Sequence, residues 1–166
     1  LGATAASWSA ADTIRIRRVM DAAMRNLFIH PPTEIVGKGF QWSFLKPLLT
    51  ITTVADQTTY DLPYDFGSPC TSGSFATSQY WCPVTFVSDS MLRQGRVVNN
   101  SSGKPVRAAI SAKRANGVLG QISTIEFYPT PSGAYDISLQ YNLHPAVLTS
   151  LNPYPPGGVL MAEALR

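Results

Sequence analysis

His30, His144, Cys70, Cys82 and the acid pair Asp61 and Asp65 are the residues of this chain whose types could do chemistry. Imidazole with thiolate would make a base and a nucleophile, and paired carboxylates a general acid and base. Their spacing argues against each use. Both histidines directly precede a proline, at segment boundaries, and neither has Cys, Asp or Glu at metal-ligand spacing. No local motif joins Cys82 to His144. Asp61 and Asp65 lie in TTYDLPYDF, residues 58–66, where aspartate near proline initiates turns by accepting backbone N–H bonds. The expectation is that Tyr60 and Leu62 close a strand on the core, Pro63 ends its ladder, and the two aspartates hold the turn. There is no G-x-S-x-G elbow, and the GKP at 103–105 lacks the upstream glycine and the hydroxyl of a phosphate loop. The chain therefore reads as no enzyme, with no catalytic, cofactor-binding or metal-ligating set and no cofactor.

Two cysteines are too few for a disulfide framework; reduced thiols are expected, with one loop-closing bridge as the alternative. Asn99 and Asn100 fit the glycosylation pattern but read as a polar turn.

Charge is the more informative feature. The net charge of +3 hides an asymmetry: from Met91 to Gly117 the chain carries Arg93, Arg96, Lys104, Arg107, Lys113 and Arg114 and no acid. From Gln41 to Ser90 it carries Lys46 against Asp56, Asp61, Asp65 and Asp89. Opposite blocks suit self-association or a charged partner, and equally a solvated sheet face. The block 93–114 also permits a nucleic-acid-binding β domain. It lacks interleaved aromatics to stack bases, so such binding would be salt-dependent and sequence-blind. Tyr80 and Trp81, on the polar aromatic loop GSPCTSGSFATSQYWCP, suit a contact loop or, in a third reading, a sugar platform.

Those residues need a frame. Apolar content of 45% against 14% charged is the balance of a folded chain, and 166 residues suffice for one domain with a core. Thirteen prolines and twelve glycines spread along it indicate short strands and many turns. No apolar run approaches the ~18 residues of a membrane span, so no membrane partner is expected.

Ser9, followed by Asp12, is a predicted N-cap of a helix that ends at Pro31–Pro32. Ile16, Val19, Met20, Ala23, Met24, Leu27 and Phe28 are its expected apolar side, with Arg15, Arg18 and Arg25 elsewhere on it. Trp42 with Phe44, and Leu49, Ile51 and Thr53, predict a strand, then a turn at ADQ and a second strand to Leu62. VTFVSDSMLRQGRVV predicts a short strand and then a strand or brief helix; PVRAAISAKR is a further strand and NGVLG a turn. In 121–145, Ile125 and Phe127, then Tyr135, Ile137, Leu139, Tyr141 and Leu143, take every second position, which predicts a β-hairpin joined at PTPSG. PPGGVLMAEALR, without a capping Gly or Asn after it, is expected to open a helix that continues beyond Arg166. The fold class is α+β, an antiparallel β-sandwich or partly open barrel flanked by N-terminal and C-terminal helices. Helix and linker take 1–40, the β domain 41–149, and 150–166 begin a C-terminal helix packing with the first.

Taken in order, W-S-F-L-K-P, T-T-Y-D-L-P-Y-D-F, I-E-F-Y-P-T-P, A-Y-D-I-S-L-Q-Y and V-L-M-A-E-A-L, behind a basic helix, resemble the head-to-tail adaptor (head completion, or neck) proteins of tailed bacteriophages. The resemblance runs from about Ile14 to Arg166; the loop from Ser68 to Pro83 has no counterpart in it. It implies that Trp42, Tyr60, Leu62, Pro63 and Phe127 are core and turn residues. It implies a non-enzymatic ring of about twelve copies at the virion neck, assembled in the host cytoplasm. Its partners would be itself, the portal protein, tail or neck proteins, and viral DNA passing through without sequence recognition. On this reading Tyr80, Trp81, Arg93, Arg96, Arg107, Lys113, Arg114, Leu160, Met161 and Leu165 are the candidate partner interface.

Overall fold

A computed structural model of the chain describes residues 8–29, 42–75, 82–113, 121–145, 148–149 and 154–159, with the side chains of 27 and 29 excepted. They fall into two compact units, one drawn from 1–45 and 144–166 and the other from 46–143. The predicted turn NGVLG and the loop aromatics Tyr80 and Trp81 lie outside the described residues, as does the predicted C-terminal helix after Val159.

In the first unit, helix α1 spans Ala10–Ile29. Its start is the predicted one. Ser9 Oγ accepts the Asp12 N–H at 3.2 Å, while the Asp12 carboxylate accepts the Ser9 N–H at 3.2 Å and its hydroxyl at 2.6 Å. Two unpaired donors of the first turn are thereby satisfied reciprocally. The buried face differs from the one expected. Met24 and Phe28 are buried, but Val19 and Met20 are 68% and 49% exposed. The face is turned towards Thr13, Ile16 and Asp21, and the Asp21 carboxylate accepts the backbone N–H of Leu148 at 3.4 Å. A polar residue that satisfies a backbone donor can take a half-buried place that hydrophobicity alone would give to its neighbours. Trp42 and Phe44 are likewise not a strand. Ser43–Leu45 form a 3₁₀ turn closed by Leu45 N–H to Trp42 C=O at 3.1 Å. Their spacing stacks the two rings at 5.5 Å, and Phe28 meets Phe44 edge-on at 5.8 Å.

The second unit holds two four-stranded sheets. The first joins β1 (Leu48–Thr52), β10 (Asp136–Leu143) and β3 (Phe66–Pro69) in that order, with β4 (Ser74–Phe75) also on β10. The second runs β2 (Thr59–Asp61), β8 (Ile122–Tyr128), β7 (Arg107–Lys113), β5 (Thr85–Phe86). Among the described residues neither sheet closes into a barrel, and the class is α+β. β7 and β8 pair antiparallel without a register shift, placing Ala108 opposite Phe127 and Ile110 opposite Ile125. β5 and β7 are parallel, which requires a crossover; helix α2 (Asp89–Val98) supplies it, resolving the strand-or-helix choice. A short parallel pair, β6 (Ser102–Gly103) with β9 (Thr130–Pro131), lies outside both sheets.

Ile51, Phe66, Ile137, Leu139 and Tyr141 from the first sheet and Ala108, Ile125 and Phe127 from the second form one core, with Leu62 and Val84. The predicted alternation is thus observed, but the predicted hairpin is not. β8 and β10 belong to different sheets, and PTPSG carries the chain from one to the other. Pro129 and Pro131 have no N–H to give a hairpin ladder. The connection is tied elsewhere, by Thr130 N–H to Ser101 C=O and Ser132 N–H to Gly103 C=O. A period of two reports a dry face, not which strand lies alongside.

TTYDLPYDF makes a second crossing. Leu62 donates to Ser123 C=O at 2.9 Å, Pro63 ends the pairing, Phe66 donates back to Pro63 C=O, and Phe66 opens β3 in the other sheet. The aspartates do not hold this turn, because both carboxylates are engaged elsewhere, with Lys113 and Tyr141. The phenol of Tyr60 instead holds the neighbouring turn, where Asp56 has a left-handed φ of 64°. It accepts Val54 N–H at 2.8 Å and donates to Gln57 C=O at 3.0 Å.

Phe127→Ala, at a position with no exposed surface, is expected to lower unfolding free energy in urea by about 3–5 kcal/mol. Val97→Ala, 88% exposed on α2, should stay within about 0.5 kcal/mol of the parent.

Candidate interaction surface

Cys70 and Cys82 are free thiols, and Cys70 donates to Asn142 Oδ1 at 3.0 Å. No group of three or more His, Cys, Asp or Glu among the described residues is arranged to hold a metal ion. No helix among them is long and apolar enough to cross a membrane.

The basic residues of the β unit do not form one face. Arg93 pairs with Asp89 at 2.7 Å one turn earlier on α2, in an exposed pair. Arg96, on the inner side of α2, sends Nη1 to Glu126 Oε1 and Nη2 to Phe127 C=O at 2.9 Å. Its Nε is buried without a hydrogen-bond partner. Tyr128, two residues on from Glu126, donates to Asn99 C=O at 2.8 Å and Gly95 C=O at 3.3 Å. Leu92 is buried beside them. The outer face of β8, expected to be wet, is thus covered by α2 through a charge-assisted fork and a phenol.

Lys113, at the end of β7, reaches across β8 to both carboxylate oxygens of Asp61 at 3.0 and 3.1 Å. The pair edges an open depression of about 690 Å³ between β1 and β2, floored by Leu49, Ile51 and Leu62. Arg107, exposed at the start of β7, makes no ion pair among the described residues. Lys104 stands 6.0 Å from the ring of Tyr135. Arg93, Arg96 and Lys113 are therefore brought to three separate internal pairings rather than to a common site. Tyr80, Trp81, Arg114, Leu160, Met161 and Leu165 lie outside the described residues.

Sequence reasoning missed the exposed apolar positions. Tyr64, Leu48 and Val54 on the β unit, and Met91, Val97 and Val98 on α2, all face solvent in the single chain. Met91 and Val98, seven apart, share a helix face, which was a readable signal once the segment is a helix.

In the core, Tyr141 stacks on Phe66 at 5.2 Å and donates to Asp65 Oδ1 at 3.2 Å. Burial first, then the charge of Asp65 and the hydrogen bond into it, push the phenol up to about 12 from its ordinary 10.

A model of the SU10 adaptor protein family matches residues 2–165 of the chain. No curated protein matches it.

Two outcomes follow from these pairings. Arg96→Ala leaves a mostly buried carboxylate and carbonyl behind and should cost about 2–4 kcal/mol in urea unfolding, whereas Lys113→Ala, breaking a half-exposed pair, should cost under about 1 kcal/mol. A raised phenol pKa means the folded state keeps its proton longer than the unfolded one. That stabilisation is complete below pH 10 and is lost as pH rises to about 12. Stability across that window should fall more steeply for the parent than for Tyr141→Phe, whose near-ultraviolet titration lacks the late phenolate step.

Proposed function

Because the chain belongs to the SU10 adaptor protein family, a family of phage structural adaptors, we propose that it forms an oligomeric ring at the virion neck, between portal and tail. The ring extends the DNA channel and offers the next neck or tail component a platform. It acts by shape and association rather than by catalysis. Its partners are copies of itself, the portal protein, tail or neck proteins, and DNA in passage.

The observation that carries this reading is the match of the adaptor family over nearly the whole chain. The geometry supports it in two respects. Exposed apolar side chains, Tyr64, Leu48, Val97 and Val98 among them, are surface that association would remove from water. Internal pairing of Arg93, Arg96 and Lys113 also leaves the β unit little net field of its own. The same pairing lowers the support for a nucleic-acid-binding β domain using 93–114, because three of its six basic groups already have carboxylate partners. The C-terminal residues Leu160, Met161 and Leu165, with the loop aromatics Tyr80 and Trp81, are proposed as partner contacts on the family resemblance alone.

Mass measurement across a concentration series, with and without portal protein, tests the reading. A closed ring, or co-assembly with portal, is expected. A monomer that persists at high concentration in both conditions overturns it.

A further inference from the structure

Helix α1 carries a run of basic charge that has no ion pair among the described residues. Arg15, Arg18 and Arg25 are three and seven positions apart. At 3.6 residues per turn they fall within about 80° of the helix circumference, along about 15 Å of its axis. All three are exposed, and among the described residues none makes an ion pair. The two acids of the helix are held elsewhere. Asp12 is bound to Ser9, and Asp21, three positions after Arg18 and four before Arg25, accepts the Leu148 N–H. Ala11 and Ala22, exposed on the same stripe, are too small to keep a ligand from the guanidinium groups.

Among the described residues, most carboxylates that a second copy could offer this stripe already have partners of their own. In the β unit, Asp61, Asp89 and Glu126 are in ion pairs. Asp65 and Asp136 accept from the hydroxyls of Tyr141 and Thr52. Among the described acids of the β unit, Asp56 alone has no ion pair or side-chain hydrogen bond. An external polyanion fits better, and a guanidinium fork matches phosphate oxygens in geometry as well as charge.

We propose that the Arg15–Arg18–Arg25 stripe of α1 contacts the phosphates of duplex DNA, responding to charge and not to sequence. The proposal rests on the neck-adaptor reading for the presence of DNA beside the chain. It assigns the DNA-facing surface to the N-terminal helix in place of the block 93–114. Three phosphate contacts per chain predict that log affinity falls against log salt with a slope of about −2.7.

The test is fluorescence anisotropy of a labelled duplex of arbitrary sequence, titrated with the full chain between about 50 and 200 mM salt. Arg15→Gln/Arg18→Gln/Arg25→Gln should lose at least about tenfold in affinity and most of the slope. The charge-matched control Arg93→Gln/Arg107→Gln/Lys113→Gln should stay within about threefold of the parent, and Arg18→Gln alone should remove about one third of the slope. Far-ultraviolet circular dichroism verifies that the helix persists. Parent-like binding by the α1 variant overturns the proposal, as does a loss confined to the control. Displacement of the duplex by poly-glutamate at equal charge concentration overturns it in favour of an acidic protein surface. Sedimentation of the same samples separates this inference from the reading beneath it. Rings that do not bind duplex defeat the inference alone, and duplex binding without rings defeats the adaptor reading alone.

Discussion

The fully buried apolar side chains of β8 and β10 fall on one face of each strand, and that constraint governs the rest of the β unit. Ile125 and Phe127 on β8, and Ile137, Leu139 and Tyr141 on β10, cannot be buried by the sheets that carry them. They are buried because the two sheets share one core, which makes the chain change sheets repeatedly. It does so between β1 and β2, β2 and β3, β4 and β5, and β8 and β10. Two of these crossings contain prolines that end a ladder, and a third is clasped by the Tyr60 phenol. At the fully buried Thr53, the hydroxyl donates to Gly133 C=O at 2.8 Å and accepts Tyr135 N–H at 2.9 Å. A polar group at a sheet corner would be costly unpaired; here it ties the end of β1 to the start of β10.

The polar outer faces follow from the same arrangement. On the first sheet, Thr50 bonds Ser138 and Thr52 bonds Asp136, both directly cross-strand pairs. On the second, Glu126 and Tyr128 receive α2, so a helix that began as a connection becomes a cover. Most carboxylates of the unit are used in holding its own elements together. Among the described residues, what is left for partners is apolar surface, Arg107 and, on the other unit, further arginines. That division suits a subunit whose work is association.

The sequence was most legible where one residue type meets one local rule. Ser9 with Asp12 reads as a cap, the alternating apolar residues of 122–143 as two half-buried strands, and Pro63 as the end of a ladder. Partnering was not legible. Alternation is identical for a hairpin and for two facing sheets, so it predicted a hairpin where β8 and β10 belong to different sheets and β9, between them, pairs with β6. The face of α1 was misread because Asp21 gains a backbone donor that lies well over a hundred positions further along the chain. The basic block was read correctly as basic and without interleaved acids. Arg96, however, finds Glu126 and Lys113 finds Asp61 only through the β7–β8–β2 order, so sequence proximity overstated a shared surface.

Gly73 and Val84 pair by two backbone hydrogen bonds, at 2.9 and 2.7 Å, at the base of the segment between them. A methyl group on Gly73 would stand 3.0 Å from Ile137 Cγ2, so the glycine lets this clasp sit directly on the core. With both ends fixed there, the closure cost of the intervening chain grows only logarithmically, about 0.6 kcal/mol for each doubling of its length. The clasp separates two demands: the sandwich must keep its packing, Ser74 and Phe75 of β4 included, while the chain after Phe75 can change length at little thermodynamic penalty.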